Sequence, residues 1–308
     1  MNRKFHTGGE EILMQDRKDY KPILVTLLLI ICIESVVMAF SMGGKILKSS
    51  ESAAQGQNEI AAQFDSALAA GDIEVWYQPI VDAASGTVCG AEALARWRQD
   101  DAILSPAEFL PALEEAGKTI ALDEYVFQQA AAFQKEQIEN GGMLVPVSVN
   151  LSDATLQREV QDPAFVGLSD DAQLQEGVLQ LEVTENGAVT TQQLADLVNN
   201  YHAHRLYVTM DGLGQDSAGL AGLAAVPYDA VKIDQALTAN IGSIKGDALV
   251  KETASLVQKM GMRVIVEGVE TEEQAGMLRT MQCDALQGFH FFEPLSKEDF
   301  QFVLSHWK

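Results

Sequence analysis

Short runs rich in valine, isoleucine and leucine alternate with longer amphipathic stretches along most of this 308-residue chain, and that alternation most constrains its fold. EVWYQPIV, TVCGAEAL, MLVPVSVN, VLQLEVTE, LYVTMD, AVKID, RVIVEG and ALQGF read as strands. Between several of them apolar residues fall at helical spacing, as in residues 106–116, 123–137 and 191–202. Such alternation predicts a largely parallel sheet with helical crossovers. About eight strands in about 240 residues match a (β/α)8 TIM-like barrel, whose usual size is ~250 residues. A doubly wound sheet is the alternative, but the GxGxxG turn expected after its first strand is missing. Ile60, Phe64 and Leu68 recur at helical spacing ahead of the first strand, and Gly71 supplies a stop.

Each strand carries a polar residue at or near its end. Gln78, Glu92, Asn150, Glu182, Asp211, Lys232, Glu267 and Gln287 hold these places. In a barrel the C-terminal strand ends converge on one mouth. Isolated carboxylates rarely tolerate burial without a partner or a metal. Glu92, Asn150, Glu182 and Asp211, collected there, would form an all-oxygen site suited to Mg²⁺ or Mn²⁺ and not to zinc. Any one of them alone reads as a solvated strand end; eight at equivalent places do not.

Charge divides the chain. Its 44 acidic and 21 basic side chains give a formal net charge of -23. That excess excludes a DNA- or RNA-polymer groove, which needs clustered Lys and Arg to displace counterions. The first 48 residues nevertheless hold seven Lys or Arg against five Asp or Glu. Within them, residues 23–40 read ILVTLLLIICIESVVMAF with one charge, Glu34, behind the helix-starting Pro22. At ~1.5 Å per residue this run reaches ~27 Å, enough to cross a hydrocarbon core. A cleaved signal peptide is the rival reading, with small residues near Ala39. The organisation expected is a leader over 1–21, a transmembrane helix over 22–42, a polar linker over 43–58 and a barrel over 59–308. Cys32, Cys89 and Cys283 give no disulfide framework, and His202 and His204 stand apart from any metal spacing.

The ordered motifs carry a resemblance. EALARW at residues 92–97, with YQPIVD, SPAEFLPALEEAG, VSVNLS, LEVTEN, PYDAVKID, VIVEGVET and QCDALQGFHFFEPL, resembles the EAL-domain cyclic di-GMP phosphodiesterases across residues 60–305. The resemblance implies a modified (β/α)8 barrel that hydrolyses cyclic di-GMP to pGpG with Mg²⁺ or Mn²⁺. Glu92, Asn150, Glu182 and Asp211 match its first-metal ligands, Lys232 the residue positioning the attacking water, and Glu267 the general base. Glu270 matches the glutamate that anchors the loop after the Asp211 strand, while Gln78, Arg96 and Gln287 match ligand contacts. The resemblance allows a homodimer. It also demands a cytoplasmic barrel on a bacterial inner membrane, against the positive-inside signal of Arg3, Lys4, Arg17, Lys18 and Lys21. The ligand is taken as the stronger indication.

One departure bears on activity. Where the family carries Asp-Asp-Phe-Gly, this chain reads Asp211-Gly212-Leu213-Gly214, followed by Gln215-Asp216. Glycine offers no side-chain oxygen, so a second-metal ligand is lost. Two functions stay open at this point: a phosphodiesterase with one weakened metal site, or a cyclic di-GMP receptor without turnover.

Overall fold

Alternation along the strands decides which residues face which side of the sheet, and the computed structural model describes residues 56–99, 102–215 and 220–307. The expected leader, transmembrane helix and most of the linker, with Cys32 and Asp216, lie outside the described residues. No helix among the described residues is long and apolar enough to cross a membrane. The barrel unit spans Ile60–Lys308.

Helical residues 56–70 (α1) lead into the strands and stop at Gly71, whose φ is 81°. In chain order there follow β1 (Ile73–Asp82), β2 (Val88–Gln99), β3 (Ala102–Leu104), α2 (Pro106–Glu115), α3 (Thr119–Glu139) and β4 (Val147–Asn150). Next come α4 (Asp153–Glu159), α5 (Ala164–Ala172), β5 (Leu179–Thr184), α6 (Thr191–Ala203), β6 (Tyr207–Leu213), α7 (Leu220–Ala225) and β7 (Ala230–Ile233). The chain finishes with α8 (Gln235–Thr238), α9 (Ile244–Lys259), β8 (Arg263–Val266), α10 (Glu272–Thr280), β9 (Ala285–Leu286) and α11 (Lys297–His306). The strand order is β1-β9-β8-β7-β6-β5-β4-β2-β3, and a β1–β2 pairing closes eight of these strands into a barrel. The (β/α)8 expectation is met.

The ring is not parallel throughout. β1 runs antiparallel to both β2 and β9, and β3 folds back on β2 outside the ring. Connection length forces the first of these, because only residues 83–87 join β1 to β2 and a parallel crossover needs about ten or more. Asp82 Oδ1 accepts from the backbone N–H of Ala84 (3.1 Å) and Ser85 (2.8 Å), and Gly86 takes φ 73° to complete the turn.

The two faces of the sheet differ in kind. Leu181, Val183, Val208, Met210, Val231, Val264, Val266 and Leu286 are wholly enclosed in one cluster with Phe127, Phe133, Phe165 and Tyr201 from the helices. Their neighbours in sequence point inward. At the base of the interior only Ile80, Ala230, Ile265 and Ala285 form an apolar layer, with Cys89 against it. Two residues on from Ala230, Ile265 and Ala285, the same face presents Lys232, Glu267 and Gln287, and two before Ile80 it presents Gln78.

Candidate active site

The interior layer above that apolar base is built from charge. Lys232 is 1% exposed, and its Nζ lies 2.8 Å from Glu92 Oε2, 2.7 Å from Glu182 Oε2 and 2.7 Å from Glu267 Oε1. One ammonium with three donors thus satisfies three carboxylates on strands or strand ends far apart in sequence. Strand register brings these partners together: Gln78 opposes Glu92, Asn150 opposes Glu182, and Thr184 opposes Asp211. Asn150 Nδ2 donates to Glu92 Oε1 at 2.6 Å, and Gln287 Nε2 donates to Glu92 Oε2 at 2.8 Å and to Gln78 Oε1 at 3.2 Å. Ser148 Oγ donates to the other oxygen of Glu182. A pocket of about 290 Å³ opens over this layer, bordered by Gln78, Glu92, Leu94, Asp234, Glu267, Glu270, Gln287 and Phe289.

Burial and crowding set the acidities. Burial pushes the Glu182 carboxyl up to about 8, and the neighbouring charge of Glu92 adds to the rise. Burial likewise pushes Glu267 up to about 7 against the pull of Lys232. Burial also raises Asp211, with Lys232 opposing and Glu92 and Asp234 adding. Glu92 goes the other way: burial resists its ionisation, but Lys232, Gln287 and Asn150 together hold it below the ordinary range. These carboxylates surround Lys232 and hold its ammonium well above the ordinary range, although burial acts against it.

The expected residues do not all meet. Glu92, Glu182, Lys232, Glu267, Gln78, Gln287 and Asn150 form one hydrogen-bonded layer, with Asp211 beside it. Arg96 stands at the rim, its guanidinium 5.7 Å from the Trp76 ring centroid and donating to Ala95 O. Glu270 borders the pocket, but among the described residues no hydrogen bond joins its side chain to the segment between β6 and β7. Glu185 ties to that segment, accepting from the Tyr228 hydroxyl at 2.7 Å, and Gly222 in α7 is small enough to clear its carboxylate. The sequence reading missed Glu185 because its partner lies 43 residues away across a loop. Asp234, 8% exposed at the end of β7, was also missed as a site residue.

Gly212 sits in β6 at φ 76°, where side chains are rare. The β6–β7 register slips between Met210 and Leu213, so β6 carries one extra residue there and Gly212 absorbs it as a bulge.

The donor set fits a hard divalent cation in its chemistry. Every candidate donor is oxygen, four carboxylates face a single lysine, and Gln287 Oε1 is a buried acceptor with no partner. Among the described residues no three acidic, histidine or cysteine groups form a ready-made metal cage. Lys232 holds three of the carboxylates in its own hydrogen bonds.

Comparison with known proteins gives one answer. The family profile described as EAL domain matches residues 61–294. The chain is 32% identical over 249 residues to an uncharacterized signaling protein of Caulobacter vibrioides, covering 77% of this chain and 29% of that protein. It is 29% identical over 240 residues to the cyclic di-GMP phosphodiesterase NbdA of Pseudomonas aeruginosa, covering 77% and 31%. The chain therefore spans under a third of the length of these relatives. Among solved structures, the PaMucR phosphodiesterase in complex with c-di-GMP is similar with a TM-score of 0.70 at 27% identity, covering 79% of this chain and 99% of that one. An EAL-domain protein of Listeria monocytogenes gives 0.68 at 26%, covering 79% and 97%.

Proposed function

The chain belongs to the EAL-domain family, and from that membership we propose that it binds cyclic di-GMP at the barrel mouth with Mg²⁺ or Mn²⁺ and hydrolyses it slowly to pGpG. Relatives named as cyclic di-GMP phosphodiesterases and a neighbour solved with c-di-GMP support this reading. The observation that carries it is the mouth itself, where Glu92, Glu182 and Glu267 converge on one buried ammonium. An acidic mouth repels a dianionic nucleotide, so a cation has to mediate.

Glu92, Asn150, Glu182 and Asp211 are the groups that would hold the ion. Bound there, it supplies charge neutralisation and a more acidic water. Once a cation takes over Glu92 and Glu182, the Lys232 donors released from them would fix a water beside Glu267 and steady negative charge near the scissile phosphate. Glu267 takes the proton, because a carboxyl raised to about 7 is a competent base near neutral pH. Gln78 and Gln287 present amides to the nucleotide, with the unpaired Gln287 Oε1 ready to accept a ligand N–H. Arg96, already desolvated against Trp76, faces the phosphate from the rim.

Gly212 favours a second reading, a receptor that binds cyclic di-GMP without turnover, since its bulge leaves no oxygen where a further ligand would stand. Calorimetry of the full chain with cyclic di-GMP and Mn²⁺, followed by chromatography of the products, separates the two. Binding with pGpG supports the enzyme, binding without pGpG leaves the receptor, and no binding with metal present rejects both. The proposed membrane anchor over 22–42 rests on sequence; a C-terminal reporter active only when exported would reverse the proposed cytoplasmic placement of the barrel.

A further inference from the structure

Asp234 is a buried carboxylate with no basic partner among the described residues. Its Oδ1 accepts from the Ala236 N–H at 2.7 Å and caps α8, and its Oδ2 accepts from Gln215 Nε2 at 2.7 Å. Its own N–H donates to Leu213 O at 3.0 Å, which fixes it at the edge of the pocket next to the end of β6. Gln215 reaches it because the chain reverses at the bulge: the Gln215 N–H donates to Gly212 O at 3.0 Å, and the side chain folds back under Gly212. A Cβ built on Gly212 would meet Gln215 Cδ at 3.2 Å, Nε2 at 3.4 Å and Oε1 at 3.5 Å. The amide therefore does two things at once. It supplies the hydrogen bond that a buried acid requires, and it fills the room a side chain at position 212 would use.

From this geometry we infer that Gln215 is a positioning residue that holds Asp234 in an amide hydrogen bond in place of a cation, closing the Asp211–Asp234 side of the site to a second divalent ion. The inference rests on the proposed reading of the mouth as a divalent-ion and cyclic di-GMP site. An amide donor is neutral, so it satisfies one lone pair of Asp234 and leaves the charge of the acid in place. Withdrawing the amide frees Asp234 Oδ2 to share a cation with Asp211, two residues before the Leu213 carbonyl that accepts the Asp234 N–H. Gly212 and Gln215 are then a coupled pair, and an acid restored at 212 alone meets the amide and gains no ion.

The test counts ions. The full 308-residue chain is stripped with chelator and titrated with Mn²⁺, free Mn²⁺ being read by electron paramagnetic resonance, with cyclic di-GMP binding measured in parallel. Wild type should bind one Mn²⁺ per chain and Gln215→Ala two. Gly212→Asp should stay at one, and adding it to Gln215→Ala should tighten the second ion at least tenfold. Thermal melting checks that each variant is folded, and Gln215→Met, which keeps length and volume with neither an amide donor nor a new carboxylate, carries the test if the alanine variant melts early. Two ions in wild type, or one ion in a folded Gln215 variant of a chain that binds cyclic di-GMP, overturns the inference alone. A wild type that binds neither Mn²⁺ nor the nucleotide overturns the proposed function and the inference with it.

Discussion

The inner and outer faces of one barrel sheet are held by opposite physics. Outside, Leu181, Val208, Val231 and Val266 are enclosed by helices, and the favourable term is apolar burial at roughly 25 cal/mol per Å². Inside, apart from a base of Ile80, Ala230, Ile265 and Ala285, the face is closed by Lys232 and its ring of carboxylates and amides. Apolar packing tolerates volume-conserving exchange, whereas a buried charge cluster is destabilised by any change that leaves a charge without a hydrogen-bonding partner. The outer face therefore specifies that a barrel forms, and the inner one specifies what the barrel does.

The sharpest way to separate the faces is to change chemistry without changing volume. Glu267→Gln keeps the shape and a hydrogen-bonding partner for Lys232 but cannot take a proton. Turnover of cyclic di-GMP should fall about 10²–10⁴-fold while the melting temperature holds or rises slightly. A melting temperature that falls steeply, with turnover retained, would make Glu267 a structural residue.

Removing the cation is the next test. Lys232→Met leaves Glu92, Glu182 and Glu267 without their shared partner, and the metal-free chain should lose about 3–5 kcal/mol in a urea titration. Phe165→Ala on the outer side should cost a similar 3–5 kcal/mol, because Phe165 is fully buried and packs edge-on against Phe127 at 5.2 Å. The two losses are alike in size and opposite in rescue: Mn²⁺ should recover the first variant in part and leave the second unchanged. Equal rescue of both would erase the distinction between the faces.

Proton linkage is concentrated on the inner face. Glu182 and Glu267 have folded values of about 8 and about 7, above the unfolded carboxylate value. Between about pH 4.5 and 8 the folded chain then binds more protons than the unfolded one, so its stability falls as pH rises. The metal-free chain should lose on the order of 6 kcal/mol between pH 5 and 8, and Mn²⁺ should flatten the curve. A metal-free chain that gains stability over that range contradicts the assigned acidities. On the outer side Asp123, buried against Ser152 and Thr155, is also raised by burial and adds a slope of the same sign, while Tyr77 and Tyr201 are pushed up and stay neutral over this range.

How much of this was legible in the sequence follows the same division. Valine and isoleucine runs revealed the outer strands, since β-branched residues at period two have few other uses, and the polar strand ends revealed Glu92, Glu182, Lys232 and Glu267. The antiparallel β1 was missed although the five residues before Val88 are too few for a crossover. Gln215, Glu185 and Tyr228 were not legible as partners, because their contacts depend on how the chain turns after β6 and no periodicity encodes a turn. Gly212 was legible as an absence of oxygen; that its φ lies in the left-handed region is now a finding.

The smallest effect asks whether the charged layer rests on the apolar base or holds itself. Ile265 lies two residues before Glu267 on the same face and is 5% exposed. Ile265→Val removes one methylene and should cost about 0.5–1.5 kcal/mol in stability. If the 2.7 Å ion pair with Lys232 fixes Glu267, the affinity for cyclic di-GMP should stay within about threefold, below the ~1.4 kcal/mol that a tenfold change requires. A tenfold loss of affinity from one methylene would mean that the base positions the site, and the inner face would then be a single unit in which apolar packing also sets the chemistry. Val264→Ala, one residue away and facing outward, is the matched control: it should cost more stability and leave affinity untouched.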